Sequence, residues 1–370
     1  VYYGLPYSND SNEWPVGQPF MQVMGLEPLP LIDGDKIVEA PADQALLTRR
    51  YTERAVAFIR EHRAKPFFLY LPHTMPHIPQ YASPQFAGKS KGGLWGDTIE
   101  ELDWSTGVIL DTLRELKLDE QTLVVFTSDN GASPRAPAAA AAKAAPKKAA
   151  GAEGGGRFAG RAFGGSNKPL RGGKGGTFEG GIRIPLAIRW PGQIAGGRDI
   201  AAPVSLMDLF PTFAQLAGAA LPKDRVYDGR DLAPYFKPET KEEARTFYHY
   251  FGYQAQAVRE GKWKLFLMVD KRPEPVPRSM WFEHQPRVFE NQHRLLAEPQ
   301  LYDLSTDIGE TKDVAKQHPE IVARLTARAR EFDVALQRDK RPMLFVDGPK
   351  PPEPQTVRAE GMDLSPYRSK

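Results

Sequence analysis

Cysteine is absent from this 370-residue chain, which excludes disulfides and thiolate metal sites and leaves the redox compartment open. Long apolar runs are missing as well. None approaches the roughly 20 residues of a membrane-spanning helix, so no membrane span is expected. Charge of one sign is not in excess: the formal net charge is only +3, too small to single out nucleic acid as a partner. The chain opens Val1-Tyr2-Tyr3-Gly4 without Met or a signal-peptide pattern. These residues already read as a motif rather than a loose terminus, so a chain lacking an N-terminal part is expected. What remains is ordinary for a globular protein, with 41% hydrophobic and 26% charged residues, enough for a large domain plus a small one.

Residues 1–40 are rich in Pro, Gly, Asn and Asp and read as extended loop. A helix is expected from Asp43 to His62, its apolar side formed by Leu47, Tyr51, Ala55, Phe58 and Ile59. Phe67-Phe68-Leu69-Tyr70-Leu71 reads as a buried strand. A second helix fits Asp97–Leu116, with Ile99, Leu102, Thr106, Ile109, Leu113 and Leu116 at helical spacing. Another buried strand, Leu123-Val124-Val125-Phe126, runs into Thr127-Ser128-Asp129-Asn130-Gly131. This alternation implies an α/β sheet covered on both faces, in which ligands gather at the C-terminal ends of strands. Residues 132–166 are dominated by Ala, Lys, Gly and Pro and read as a low-complexity surface insertion. Leu186–Trp190 forms a strand, and Ser205–Gly218 a helix whose apolar side is Leu206, Leu209, Phe210, Phe213 and Leu216. Beyond about residue 240 the texture changes. Ala257–Phe266 reads as two short strands around a Glu-Gly turn, Leu301–Leu304 as another, and His318–Gln337 as a helix. The expected domains are 1–240, 241–340 as a small α+β subdomain, and a Pro-rich tail over 341–370.

Three clusters carry chemistry. Asp129-Asn130 after a strand is either a turn or part of a hard-cation site; Ca²⁺ takes about six to eight oxygens, so two adjacent ligands fill only a fraction of its shell. His73 and His77 lie in Pro72-His73-Thr74-Met75-Pro76-His77-Ile78-Pro79, whose prolines stiffen their placement. Imidazoles there suit hydrogen bonds to an anion or protonation of a leaving oxygen; zinc would need a third ligand, and no further His is near in sequence. Lys174 is flanked by glycines in Leu170-Arg171-Gly172-Gly173-Lys174-Gly175-Gly176, which allow close backbone approach to a ligand beside a fixed positive charge. A P-loop is excluded, because Lys168 and Gly175 occupy positions where that motif requires Gly and Ser/Thr. A bland linker is disfavoured by Phe178, Glu179, Ile182, Arg183 and Pro185, which lead straight into a strand.

Thr127–Gly131, Leu170–Gly175 and Phe178–Pro185, in that order, resemble signatures of the type I sulfatases. Gly4–Asp10, Pro66–Pro79, Trp190-Pro191-Gly192, Asp208 with Pro211-Thr212, Asp228–Leu232, Gly261–Lys264 and Leu301–Leu304 extend the match to about residue 337. Within the family the chain resembles the arylsulfatase and N-acetylgalactosamine-6-sulfatase branch. The resemblance implies an α/β fold, with an alkaline-phosphatase-like central mixed sheet flanked by helices and a small C-terminal antiparallel-sheet α+β subdomain. It implies Asp129 and Asn130 as Ca²⁺ ligands, and Lys174 and His77 as groups that bind the sulfate ester and stabilise the leaving oxygen. Ser8 would line the sulfate pocket; His73 has no firm counterpart in the family and is expected behind the residues that touch the ester. These residues are expected to converge on one cleft.

The chain departs from the family at the nucleophile. Members use a formylglycine made from Cys or Ser in Cys/Ser-x-Pro/Ala-x-Arg, and neither version occurs here; the N-terminal Asp pair is also missing. The expected activity of the full protein is hydrolysis of a sulfate ester, by default a glycan sulfate, after action of a formylglycine-generating maturation enzyme. A periplasmic or secreted location follows from the same resemblance. The rivals are a phosphate or phosphonate ester hydrolase, a non-catalytic remnant, and a nucleic-acid binder resting on the few lysines of the insertion. Substrate specificity is expected in loops 9–35 and 270–295.

Overall fold

The computed structural model describes residues 1–10, 29–133, 165–237, 245–251, 254–268 and 296–339. Most of the 132–166 insertion, the tail from 341 and the 270–295 loop lie outside the described residues. Two compact units form, the first over Val1–Asp119 and the second over Glu120–Pro134 with Ser166–Arg341.

In the first unit, strands β1 (Tyr3–Gly4), β2 (Leu31–Asp33) and β3 (Lys36–Glu39) make a three-stranded antiparallel sheet. This corrects the expectation of extended loop over residues 1–40. The Gly34-Asp35 pair, a loop signal when read alone, is the turn of a hairpin pairing Asp33 with Lys36. Leu31, Ile32 and Ile37 are buried by it. Helix α1 (Leu47–His62) follows a short 3₁₀ turn, Gln44–Leu46, whose Asp43 side chain accepts from the Ala45 N–H at 3.0 Å. Its buried positions Leu47, Tyr51, Ala55 and Ile59 fall on the expected side. Leu47 and Tyr51 close over Leu31 and Ala42.

Helix α2 (Gly93–Glu115) starts four residues before the expected Asp97. The cause is Asp97 itself: its carboxylate accepts from the backbone N–H groups of Gly88, Lys89 and Ser90 at 2.8, 3.1 and 2.7 Å. It thereby ties the preceding turn onto the helix. Thr52 of α1 and Ser105 of α2 meet at 2.6 Å, and Thr52 also donates to Thr48 O at 2.7 Å, so the polar groups between these helices are satisfied.

The expected strand Phe67–Leu71 is not one. The segment joins no ladder among the described residues, and Phe68 and Tyr70 are 69% and 76% exposed. A continuous apolar run signals burial only if neighbouring strands and covering layers exist.

In the second unit β4 (Val124–Thr127) pairs antiparallel with β5 (Leu186–Arg189). Between them lies the one-turn helix α3 (Glu179–Ile182). Expected to be buried, β4 leaves Phe126 exposed. A capping box between Ser205 and Asp208 opens the next helical stretch, which continues as α4 (Leu209–Leu216). The expected apolar side of α4 is overturned: Asp208, Pro211 and Thr212 are buried while Leu206, Phe210 and Leu216 are exposed. Asp208 faces inward because it accepts from the N–H groups of Ser205 and Arg230 and pairs with the Arg245 guanidinium at 2.6 Å.

Strands β6 (Thr246–Phe251), β7 (Gln254–Glu260), β8 (Trp263–Phe266) and β9 (Gln300–Asp303) form an antiparallel sheet in that order. The β7–β8 hairpin turns on Gly261 at φ +55°, a left-handed conformation suited to Gly in a two-residue loop. Helix α5 (Pro319–Asp339) covers one face, packing Leu325 and Ala329 on Val258, Leu265 and Leu301. Tyr248 stacks on Phe332 at 3.8 Å. The other face carries Ala257, Phe266 and Tyr302 against Phe178.

Three backbone donors converge on Asp97, so Asp97→Ala should lower the unfolding free energy by about 2–4 kcal/mol, on the scale of lost hydrogen bonds to a charged acceptor. Those hydrogen bonds hold the carboxyl below the usual range, so the stabilisation is present above the unfolded pKa and fades as pH falls through the folded one. Urea unfolding of both proteins at neutral and acid pH checks this; a loss that did not shrink in acid would count against it.

Candidate active site

The histidine loop belongs to the first unit. Asn9, 2% exposed, uses its amide nitrogen on Gln44 Oε1 and Pro79 O at 3.1 and 3.0 Å. Gln44 Nε2 returns a bond to Asn9 O at 3.2 Å. That network leaves Asn9 Oδ1 as an acceptor, and it lies 2.9 Å from His77 Nδ1. His77 Nδ1 must therefore donate, which sets the ring's orientation and the place of one proton. Ser8, next to Asn9, is exposed. His73 is largely enclosed: its Nε2 is 3.3 Å from Ser105 Oγ, and burial pushes its pKa down to about 4. It is a neutral imidazole packed near Tyr51.

The other two clusters belong to the second unit, and the backbone brings them together. Gly131 N–H donates to Gly181 O at 3.1 Å, and Lys174 N–H to Ala132 O at 3.0 Å. Asn167 bridges the same segments, accepting from Ala132 N–H at 2.8 Å and donating to Ala132 O and Gly172 O at 2.8 and 3.0 Å. The lysine loop is thus pinned beside the strand end that bears Asp129 and Asn130. Such closeness needs glycine: a Cβ on Gly131 would come within 1.8 Å of Gly180 O, and one on Gly181 within 2.2 Å of Gly176 O. Lys174 is itself exposed.

Beneath the loop sits a buried ion cluster that sequence reasoning missed. Glu179, fully buried, accepts from Lys264 Nζ at 2.9 Å and Arg259 Nη1 at 3.1 Å. Lys264 also meets Glu310 Oε1 at 3.0 Å, and Glu310 Oε2 accepts the Glu179 backbone N–H at 2.8 Å. Burial pushes the Glu179 carboxyl up, but Lys264 and Arg259 outweigh it and hold the group below the usual range. At Glu310 burial wins and the carboxyl is raised. Arg171 closes the loop from above, donating to Glu310 O at 2.7 Å and lying 4.0 Å over the Phe178 ring. One signal existed in the sequence: Arg259 and Lys264 interrupt apolar strands at inward positions, where a charge requires a partner.

Asp129 and Asn130 offer hard oxygens of the kind Ca²⁺ prefers. The Asn130 amide donates to the Asp129 carboxylate, and no group of three or more His, Cys, Asp or Glu suited to a metal occurs among the described residues. The donor chemistry fits; the number of donors fills only part of a shell.

Comparison with known proteins places this arrangement. The family model described as Sulfatase matches residues 1–219, and the C-terminal region of aryl-sulfatase matches 242–351. Mouse steryl-sulfatase is 38% identical over 322 residues, covering 83% of this chain and 48% of that protein. Dog N-acetylgalactosamine-6-sulfatase is 41% identical over 224 residues, 60% of this chain and 38% of that protein. Among solved structures, one from work on glycosaminoglycan metabolism by Bacteroides thetaiotaomicron aligns with TM-score 0.61 at 30% identity, over 80% of this chain and 56% of its own. The PsFucS1 sulfatase from Pseudoalteromonas sp. aligns with TM-score 0.68 at 22% identity over 91% and 66%, which shows the fold. The chain belongs to the sulfatase family and has its alkaline-phosphatase-like α/β fold, with β6–β9 as the C-terminal antiparallel sheet. It spans about half the length, or less, of these two curated relatives. No helix among the described residues is long and apolar enough to cross a membrane.

Two outcomes follow from this geometry. Lys264→Met leaves two buried carboxylates without their shared cation and should cost roughly 3–5 kcal/mol, with hydrogen-exchange protection lost at the Gly180 and Gly181 amides; a loss under about 1 kcal/mol with protection intact would contradict the anchoring role. His73 and His249 are held neutral, with pKa values pushed down to about 4 and about 3. Below about pH 6.5, the ordinary value, the unfolded chain binds the extra protons. Stability should therefore fall as pH drops from about 6.5 toward 4, and thermal unfolding of His73→Phe across that range should show a shallower decline.

Proposed function

We propose that the complete protein hydrolyses sulfate esters, a glycan sulfate by default. The observation that carries this is Lys174, held by a glycine loop against the strand end that bears Asp129 and Asn130. A fixed ammonium there can hold sulfate oxygens and offset charge as it builds on them, an effect usually worth several kcal/mol of barrier. His77, with one proton fixed on Nδ1 by Asn9, is assigned as the group serving the leaving oxygen. Lys174, Asp129 and Asn130 are proposed as one site of the second unit; in the first, Ser8 is proposed as a sulfate-binding residue and His73 as internal support of the histidine loop.

The chain lacks the nucleophile motif, and Asp129 and Asn130 supply only part of a Ca²⁺ shell. We assign the formylglycine, the remaining acidic ligands and the signal for export to a part of the protein outside these 370 residues. Formylglycine would supply the nucleophile toward sulfur, after conversion by a maturation enzyme, and Ca²⁺ held in part by Asp129 and Asn130 would neutralise sulfate charge. The proposed location is periplasmic or secreted. The domain scheme proposed is 1–240 for the catalytic part and 241–340 for the smaller subdomain.

The test is an assay of the 370-residue chain and of the complete, matured protein against aryl sulfate and aryl phosphate. The shorter form should turn over neither, because it has no group to form the covalent intermediate. The complete form should prefer sulfate, lose activity to a calcium chelator, and drop roughly a hundredfold or more with Lys174→Ala. Turnover by the shorter form would overturn the mechanism; a clear phosphate preference would favour an ester hydrolase of the phosphate or phosphonate type.

A further inference from the structure

Among the described residues, two that are not glycine take a positive φ, Lys117 and Glu310. Lys117 is exposed and follows the end of α2, a common place for a left-handed residue. Glu310 differs. It is fully buried, at φ +50°, in the turn between β9 and α5. Strain of this kind persists where the surroundings over-determine the backbone, and it points to a use for the residue. The turn is firmly held. Asp307 accepts from the N–H groups of Thr311 and Lys312, both at 2.8 Å, and the Glu310 N–H donates to Asp307 O at 3.1 Å. Glycine would adopt the same φ without strain, but it would lack the side chain.

The contacts of Glu310 lie at the two ends of one loop. Arg171 and Gly180 close that loop, the Gly180 N–H donating to Arg171 O at 2.8 Å, and Lys174 lies within it. At one end Arg171 Nη1 donates to the Glu310 carbonyl at 2.7 Å. At the other the Glu179 N–H donates to Glu310 Oε2 at 2.8 Å. Oε1 faces Lys264 Nζ at 3.0 Å, which aims the carboxylate. A Cβ on the neighbouring Gly309 would lie 3.1 Å from Pro169 O, so the turn sits close against the chain entering the loop. One residue thus holds both ends, by its main chain and by its side chain. Lys174 is fixed from its backbone, through its N–H to Ala132 O at 3.0 Å, so the place of its ammonium depends on where the loop is held.

We propose that Glu310 is a positioning residue for Lys174: it clamps both ends of the lysine loop and so sets the point from which the ammonium reaches the sulfate. The clamp stands on the geometry alone; its effect on turnover rests on the sulfatase reading.

Glu310→Gly keeps the φ and the carbonyl and removes the carboxylate. In the 370-residue chain, hydrogen exchange should quicken about tenfold or more at the Lys174 and Gly180 amides, the scale of one lost hydrogen bond, while amides of α4 and α5 stay within about twofold. Uniform quickening, or no change at Lys174, would overturn the clamp. In the complete, matured protein, kcat/KM for 4-nitrophenyl sulfate should fall roughly tenfold or more, since small misplacements of a group that holds the reacting centre are costly. In a Lys174→Ala background the same substitution should cost less than about twofold, because residues acting through one contact are not additive. Equal losses in both backgrounds would show a general structural role and overturn the proposal. If Glu310→Gly does not fold, Arg171→Leu releases the other end without touching the buried ions, and it must give the same exchange pattern and the same non-additivity. A complete protein that cleaves no sulfate ester sinks the sulfatase reading, and the exchange pattern then decides the clamp by itself.

Discussion

The second unit depends on the contact between Glu179 and Lys264. Both side chains are fully buried, and each has a further partner of opposite charge in Arg259 or Glu310. A buried ion group of this kind adds little net stability over a well-packed apolar one, but losing one member leaves an uncompensated charge. Its value here is positional. Glu179 opens α3 at the end of the glycine loop, while Lys264 and Arg259 sit on the C-terminal sheet. The pairing fixes where that loop meets that sheet, and the loop carries Lys174.

The glycines make the other half of the constraint. Gly131, Gly180 and Gly181 bring two backbone segments within hydrogen-bonding distance at points where any Cβ would overlap a carbonyl. Asn167 then fills the donor and acceptor needs of both segments. Lys174 and the Asp129-Asn130 pair are neighbours through main-chain hydrogen bonds and the Asn167 side chain that joins the same segments.

The histidines show how environment divides one residue type into separate roles. His77 keeps an amide partner that fixes a proton on Nδ1. His73 is enclosed near α1 and α2, bonded to a serine hydroxyl, and loses its basicity to burial. His249 loses more, because an ammonium lies near it as well. The distinction comes from desolvation and neighbouring charge, and neither is visible in a local sequence window.

The sequence by itself determined several of the local elements and the family. Helical spacing marked α1 and α5, a Glu-Gly turn between apolar runs marked β7 and β8, and the ordered motifs from Gly4 to Leu304 identified a sulfatase and its candidate residues. These signals are short-range, set by backbone propensity and by which residue types sit side by side. Only the tertiary structure decided what lay across from them. It made Asn9 the holder of His77 and buried Glu179 and Lys264 together. It also left the apolar side of α4 and the rings of Phe68 and Tyr70 exposed. Periodicity states which face is apolar, but burial depends on a partner surface supplied from elsewhere in the chain, and a buried charge on a partner dozens of residues away.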